Sequence, residues 1–214
     1  FYIDIRDRNS GQKCLGIWMF TKRNHLPFTW GIDRIAIVTP ISGAIIRLGN
    51  FFNSEIVGFP TDSALGVKFV YNDARRAWYE YAGNVPQEII DQIPARHPAQ
   101  LYEAGCYLLI FCLLLWMYMG KDLGRRRPGL LTGVGMICVF TARFFIEFVK
   151  ERQVAFEDGM ALDMGQLLSI PFIIYGIYMT VRAFVHPEVK DVDAVVAYAN
   201  KEYAREDKKR GKKK

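Results

Sequence analysis

The chain is poor in the residues that build most catalytic and metal sites. Its 214 residues include four cysteines and three histidines. Cys14, Cys106, Cys112 and Cys138 have neither metal-ligand nor disulfide-framework spacing. Three of them fall inside apolar runs, where a thiol behaves as a small apolar group. Carboxylates and histidines do not cluster at ligand spacing either, so no metal and no cofactor is expected. No internal repeat and no second soluble domain are visible. Residues 1–13 are polar and lack a signal-peptide pattern. The apolar runs are short of charge, which makes each ionisable residue inside them informative.

About half of the residues are apolar. They gather in runs at about 34–59, 101–119, 129–149 and 166–184. A helix of about 20 residues crosses the hydrocarbon core of a bilayer, so four such runs predict an all-α polytopic membrane protein. Pro40 and Gly43 predict a kink or break in the first run. Residues 14–20 read as the last two turns of an apolar helix, and residues 25–33 as a short amphipathic link. The domain reading is a remnant of an upstream segment at 1–20, a membrane-embedded unit at 21–186 and a basic tail at 187–214. Within the loop 60–99, residues 64–71 are expected to form a short strand and 86–92 a helical turn. Pro98 suits a helix start and residues 163–165 another.

The net charge of +6 is a topology signal. Lys22 and Arg23, then Lys121 with Arg125, Arg126 and Arg127, then the terminal lysines, all fall on one side if the spans alternate. The positive-inside rule puts that side, with the C-terminus, in the cytoplasm. The tail is either a solvated end or a contact for anionic membrane lipids. Nucleic acid is not an expected partner, because the basic residues sit beside the spans.

The segment Ile46-Arg47-Leu48-Gly49-Asn50-Phe51-Phe52-Asn53-Ser54-Glu55 stands out. A charge inside a span costs roughly 2.5–3.5 kcal/mol on insertion scales, so it normally faces a protein interior and has a function. Arg47 and Arg143 lie at similar depth, in the outer half of their spans, and Glu103 joins them from a span running the other way. Gly43, Arg47, Asn50 and Ser54 share one helical face; Gln100, Glu103 and Tyr107 share another. Two packing readings compete with a ligand site. Arg143 and Glu147 stand at i, i+4 and can neutralise each other, and Arg47 and Glu103 can form a buried pair. The excess of arginine over acid favours an anionic ligand, and the guanidinium fork suits phosphate.

Four segments, in order, resemble the motifs of the bacterial prolipoprotein diacylglyceryl transferase family. They are Arg47-Leu48-Gly49-Asn50-Phe51 with Asn53, Glu55 and Gly58; Arg96-His97-Pro98-Ala99-Gln100-Leu101-Tyr102-Glu103; Arg143-Phe144-Phe145-Ile146-Glu147-Phe148; and Gly165-Gln166-Leu167-Leu168-Ser169-Ile170-Pro171. Two features depart from the family pattern. Residues 9–13 stand where the family carries a histidine-glycine motif, and Val139 stands where a tyrosine is common. The chain is therefore expected to be an N-terminally incomplete member.

The resemblance implies transfer of a diacylglyceryl group from phosphatidylglycerol to the lipobox cysteine of a prolipoprotein, in the bacterial inner membrane and on its outer side. It implies Arg47, Arg143, Glu103 and His97 as catalytic residues. It also implies Arg47, Gly49, Asn50, Asn53, Glu55, Gly58, Gln100 and Tyr102 as contacts to the lipid head group. The nucleophile belongs to the substrate, so no Ser-His-Asp or Cys-His set is required. Two alternatives remain: a non-catalytic membrane protein that holds anionic lipid with the same arginines, and an inactive fragment of the family.

Overall fold

The computed structural model describes residues 16, 18–19, 21–23, 28–151 and 162–186. Cys14, the basic tail and most of the 1–20 segment lie outside the described residues. Four long helices dominate: α1 (Phe28–Phe52), α5 (Ala99–Met119), α7 (Leu130–Glu147) and α8 (Met164–Val185). Short helices fill the connections: α2 (Val70–Asp73), α3 (Arg75–Glu80), α4 (Gln87–Gln92) and α6 (Leu123–Arg126). All four long helices are long and apolar enough to cross a membrane. No strand occurs among the described residues, and the chain is an all-α polytopic membrane protein.

The core is a seam of Ile37, Ala44, Ala104, Tyr107, Ile110, Leu114 and Leu131 where α1, α5 and α7 meet. The outward faces are as apolar as the core. Ile46 is 60%, Leu109 71% and Ile174 61% exposed. A contiguous apolar exterior of this kind belongs in lipid, not in water. Helices α7 and α8 come closest. A Cβ on Gly176 would sit 2.9 Å from the Gly133 carbonyl, and one on Gly133 would sit 2.8 Å from the Thr180 nitrogen. Small residues at such a crossing let the two backbones pack directly.

The bundle has two ends. At the loop end, α1 and α7 finish and α5 and α8 begin. At the opposite end, α1 and α7 begin and α5 and α8 finish. Helix α1 starts well before residue 34 and stops at Phe52, which shifts the expected first span towards the opposite end. The amphipathic link expected at 25–33 is helical from Phe28 onward. The added stretch of α1 carries Asp33. Its wholly buried carboxylate accepts from the Gly129 nitrogen (2.6 Å), the Thr132 nitrogen (2.9 Å) and the Thr132 hydroxyl (2.6 Å). It thus caps the first turn of α7 from another helix, and the helix dipole favours that negative charge. Arg127 does the converse for α8, donating to the carbonyls of Ala183 (3.0 Å) and Phe184 (3.3 Å).

The start of α8 is a capping box of Asp163 and Gln166, as the sequence predicts. Residues 87–92 form the expected helical turn. The strand expected at 64–71 does not form. Val67 makes one isolated bridge to Arg96, and Val70 already opens α2. The loop is fastened to the bundle through backbone pairs. Gly58 donates to His97 (3.0 Å), Phe59 to Val149 (3.0 Å) and Thr61 to Ala95 (2.7 Å). A Cβ on Gly58 would lie 2.6 Å from both the His97 and Val149 carbonyls, so only glycine fits there.

Candidate functional site

Helix α1 carries Arg47 five residues before its end, about 8 Å along the axis at 1.5 Å per residue. Helix α5 starts at Ala99 because Pro98 precedes it, and its first turns bury Gln100, Glu103 and Tyr107 on one face. Helix α7 ends at Glu147, with Arg143 one turn before. Opposite chain directions therefore bring the end of α1, the start of α5 and the end of α7 to one layer.

Within that layer Arg47 Nε is paired with Glu103 Oε2, and Glu103 is wholly buried. The other Glu103 oxygen accepts from Lys150 Nζ at 2.6 Å. Lys150 is buried too and also reaches Glu147 Oε2 at 3.1 Å. Gly165, at the start of α8, makes room for Glu147: a Cβ there would lie 2.6 Å from its carboxylate. The helix N-terminus favours a carboxylate in that position. The four groups form one line, Arg47, Glu103, Lys150 and Glu147.

Arg143 stands differently. Among the described residues it makes no ion pair, and its buried Nε has no hydrogen-bond partner. The i, i+4 pairing with Glu147 does not occur, because Glu147 goes to Lys150 instead. Tyr107, buried on the same face of α5 as Glu103, lies within electrostatic range of both Arg47 and Arg143. Gly43 seats its ring, with a Cβ position 3.0 Å from Tyr107 Cδ2. Three cations (Arg47, Arg143, Lys150) and two carboxylates (Glu103, Glu147) leave one positive charge in this cluster unbalanced. A buried guanidinium N–H without a partner, such as Arg143 Nε, is costly unless something supplies an acceptor. An anion is the simplest such partner.

The other sequence-selected residues separate into groups. Gln100 is wholly buried, gives its Nε2 to the Glu55 carbonyl (2.5 Å) and leaves Oε1 without a partner. His97 meets the Tyr102 hydroxyl at 3.3 Å, and that is its side-chain hydrogen bond among the described residues. Gly49 is exposed, with nothing within 4 Å of a Cβ built there. Asn50 is half-buried one turn after Arg47, and its carbonyl accepts from Glu55 at 2.9 Å. Asn53 and Glu55 lie beyond the helix end, on the wall of a cavity of about 530 Å³ outside the bundle. Ser54 also lies beyond α1, so it does not extend the face of Gly43, Arg47 and Asn50. Gly58 belongs to the loop fastening and not to the charged layer.

Sequence reasoning missed two members. Lys150 stands at i+7 from Arg143 and i+3 from Glu147, a helical spacing that contained the signal although α7 itself ends at Glu147. It lies just past the apolar run 129–149, so the run itself does not reveal it. Arg96 holds Asp73 (2.8 Å) and Glu151 (3.0 Å), tying α2 and the segment after α7 to the loop. The hydrogen bond that Arg96 donates to the Asp73 carboxylate pushes the Arg96 pKa above its ordinary value. Nothing local in the sequence points from Arg96 to Asp73. Among the described residues no cluster of histidine, cysteine and acid capable of holding a metal occurs.

A family model described as prolipoprotein diacylglyceryl transferase matches residues 12–182. Three similar proteins are named phosphatidylglycerol–prolipoprotein diacylglyceryl transferase. The one from Porphyromonas gingivalis is 40% identical over 178 residues, covering 81% of this chain and 59% of the relative. That from Bacteroides fragilis is 40% identical over 164 residues, covering 77% of this chain and 52% of the relative. That from Tolumonas auensis is 42% identical over 166 residues, covering 77% and 56%. The chain spans about half the length of these relatives.

Proposed function

The chain belongs to the prolipoprotein diacylglyceryl transferase family, and from that premise we propose that it carries the phosphate-binding half of a diacylglyceryl transfer site. The donor is phosphatidylglycerol and the acceptor is the lipobox cysteine thiol of a prolipoprotein. The observation that carries this reading is the half-buried Arg143, whose buried Nε has no partner, in the same layer as Arg47.

In the proposed reaction the thiolate sulfur attacks the glyceryl carbon that bears the phosphate ester. A carbon–sulfur bond forms, the carbon–oxygen bond breaks, and glycerol phosphate leaves with the electron pair. Charge on the departing phosphate grows along this path. Arg143 supplies donors aimed at that charge before it forms, and such preorganised donors act more strongly in a site shielded from water. Arg47 reaches the same phosphate while Glu103 fixes its direction. Both Glu103 oxygens are engaged by cations, which makes it a poor acceptor for the thiol proton. We assign that proton to His97, backed by Tyr102. Asn50 and Gln100 are head-group contacts in this reading. Gln100 Oε1 is an unused acceptor suited to a glycerol hydroxyl.

The loop end faces outward in this account, so the acceptor cysteine reaches the site from the outer side of the inner membrane while its signal helix stays in the bilayer. Residues 21–186 form the membrane-embedded unit, and 187–214 form a cytoplasmic tail.

The test is label transfer. The protein in vesicles of phosphatidylglycerol, radiolabelled in its acyl chains, is mixed with a peptide bearing a lipobox cysteine. Label on the peptide, stable to thioester cleavage, is the expected result. Retained label on the lipid with no labelled peptide supports the alternative of a non-catalytic lipid holder.

A further inference from the structure

The cavity of about 530 Å³ beyond the helix ends is not the charged layer described above. Its size falls in the range of roughly 300–1,000 Å³ typical of ligand pockets. Its walls come from three places: residues 53–57 after α1, Tyr71 and Asn72 of α2 with Arg75 of α3, and Glu151 after α7. All lie past the apolar parts of the spans, so an occupant sits outside the hydrocarbon.

One wall is held in unusual backbone conformations. Ser54 (φ 54°) and Ile56 (φ 59°) are both left-handed. For a β-branched residue this is a genuine outlier, and such strain gathers at ligand sites. The two kinks flank Glu55. They present Glu55 at the cavity wall while its carbonyl takes the Gln100 Nε2.

The charge on the walls argues against a second phosphate site. Glu55 is exposed and makes no ion pair among the described residues. Glu151 is 45% exposed and shared with Arg96. Among the described residues, Arg75 is the one cation on the wall, set against the Tyr71 ring. On the described wall, two carboxylates against one guanidinium disfavour an anion. Together with Asn53 and Asn72 they suit the alternating donors and acceptors of an extended main chain. The cavity also adjoins the charged layer. Glu151 follows Lys150, whose amine touches Glu103, and Gln100 lies one turn before Glu103.

We infer that this cavity binds the polypeptide acceptor just after its reacting cysteine, taking two to four residues of extended chain and disfavouring acidic ones. This rests on the transfer reading, because that reading supplies a polypeptide acceptor.

The test uses three peptides identical through the cysteine and differing in the next two residues: Lys-Lys, Ser-Ser or Asp-Asp. Transfer by the protein in phosphatidylglycerol vesicles should show a KM about tenfold higher for Asp-Asp than for Lys-Lys. The exposed Arg75→Glu change should widen that ratio about fivefold. A fluorescent set with serine in place of the cysteine reads binding by anisotropy without any reaction. If no transfer occurs but the binding order and the Arg75→Glu effect hold, the transfer reading fails and the subsite stands. Equal KM and equal binding for the three peptides, with Arg75→Glu silent, overturns the subsite while leaving transfer intact. An Arg75→Glu effect on the KM for phosphatidylglycerol, and not on peptide, assigns the cavity to lipid and also overturns it. Asn72→Leu, on another part of the wall, repeats the test if Arg75→Glu fails to fold.

Discussion

The two ends of the bundle use buried charge in opposite ways. At the opposite end, Asp33 spends its carboxylate on three donors at the start of α7, and Arg127 spends a guanidinium nitrogen on two carbonyls at the end of α8. Those charges finish helices. At the loop end the layer of Arg47, Glu103, Lys150 and Arg143 finishes no helix, and Arg143 Nε and Gln100 Oε1 are buried without partners. Saturation therefore separates a charge that holds the fold together from one kept for a ligand. The same residue types, at similar cost to bury, serve both purposes.

The contrast breaks if the two ends respond alike to mutation. The largest effect is expected for Arg47→Ala. It removes a phosphate donor and leaves Glu103 with Lys150 as its remaining cation, so transfer should fall about 10²–10³-fold. Stability should fall by about 1.5–3 kcal/mol, as when one charged hydrogen bond is lost. Label transfer and denaturant unfolding in detergent read the two losses separately. Lys150→Met comes next. Glu103 keeps Arg47 but loses its second cation, for about 1.5–3 kcal/mol in the same unfolding assay. Glu103 then turns more freely, and transfer should drop about tenfold.

Asp33→Ala sharpens the comparison from the other end. It should cost a similar 1.5–3 kcal/mol, because three donors lose a charged acceptor. Transfer per folded molecule should stay within about twofold of the parent. A large loss of specific activity in the folded fraction would erase the distinction between the ends. The smallest effect is expected for Arg127→Gln, which weakens the cap on α8 by about 0.3–1 kcal/mol. Its thermal midpoint should move slightly and its transfer rate not at all.

Much of the fold was legible because apolar length is a strong signal. The start of α8 was legible too, since Asp163 and Gln166 cap their own helix. The limits of α1 were not. The stretch before residue 34 buries Asp33 against Gly129 and Thr132, nearly a hundred residues away in sequence. In isolation that aspartate reads as the edge of a loop. The site divides on the same principle. Shared depth along antiparallel helices brought Arg47, Arg143 and Glu103 into view. Lys150 was hidden because it sits just outside an apolar run, yet the bundle buries it. The Arg96–Asp73 pair was illegible, since it links two irregular segments with no pattern between them. The short strand failed because Arg96 meets Val67 at a single bridge and α2 takes over at Val70.

Arg143 offers the most direct test, because no ion pair among the described residues depends on it. In single-turnover transfer from radiolabelled phosphatidylglycerol, Arg143→Ala should keep the parent's unfolding midpoint. It should lose about 10²–10³-fold in rate and recover part of that rate with millimolar guanidinium ion, but not with sodium. A folded Arg143→Ala protein that transfers label at the parent's rate would contradict the claim that this guanidinium grips the departing phosphate.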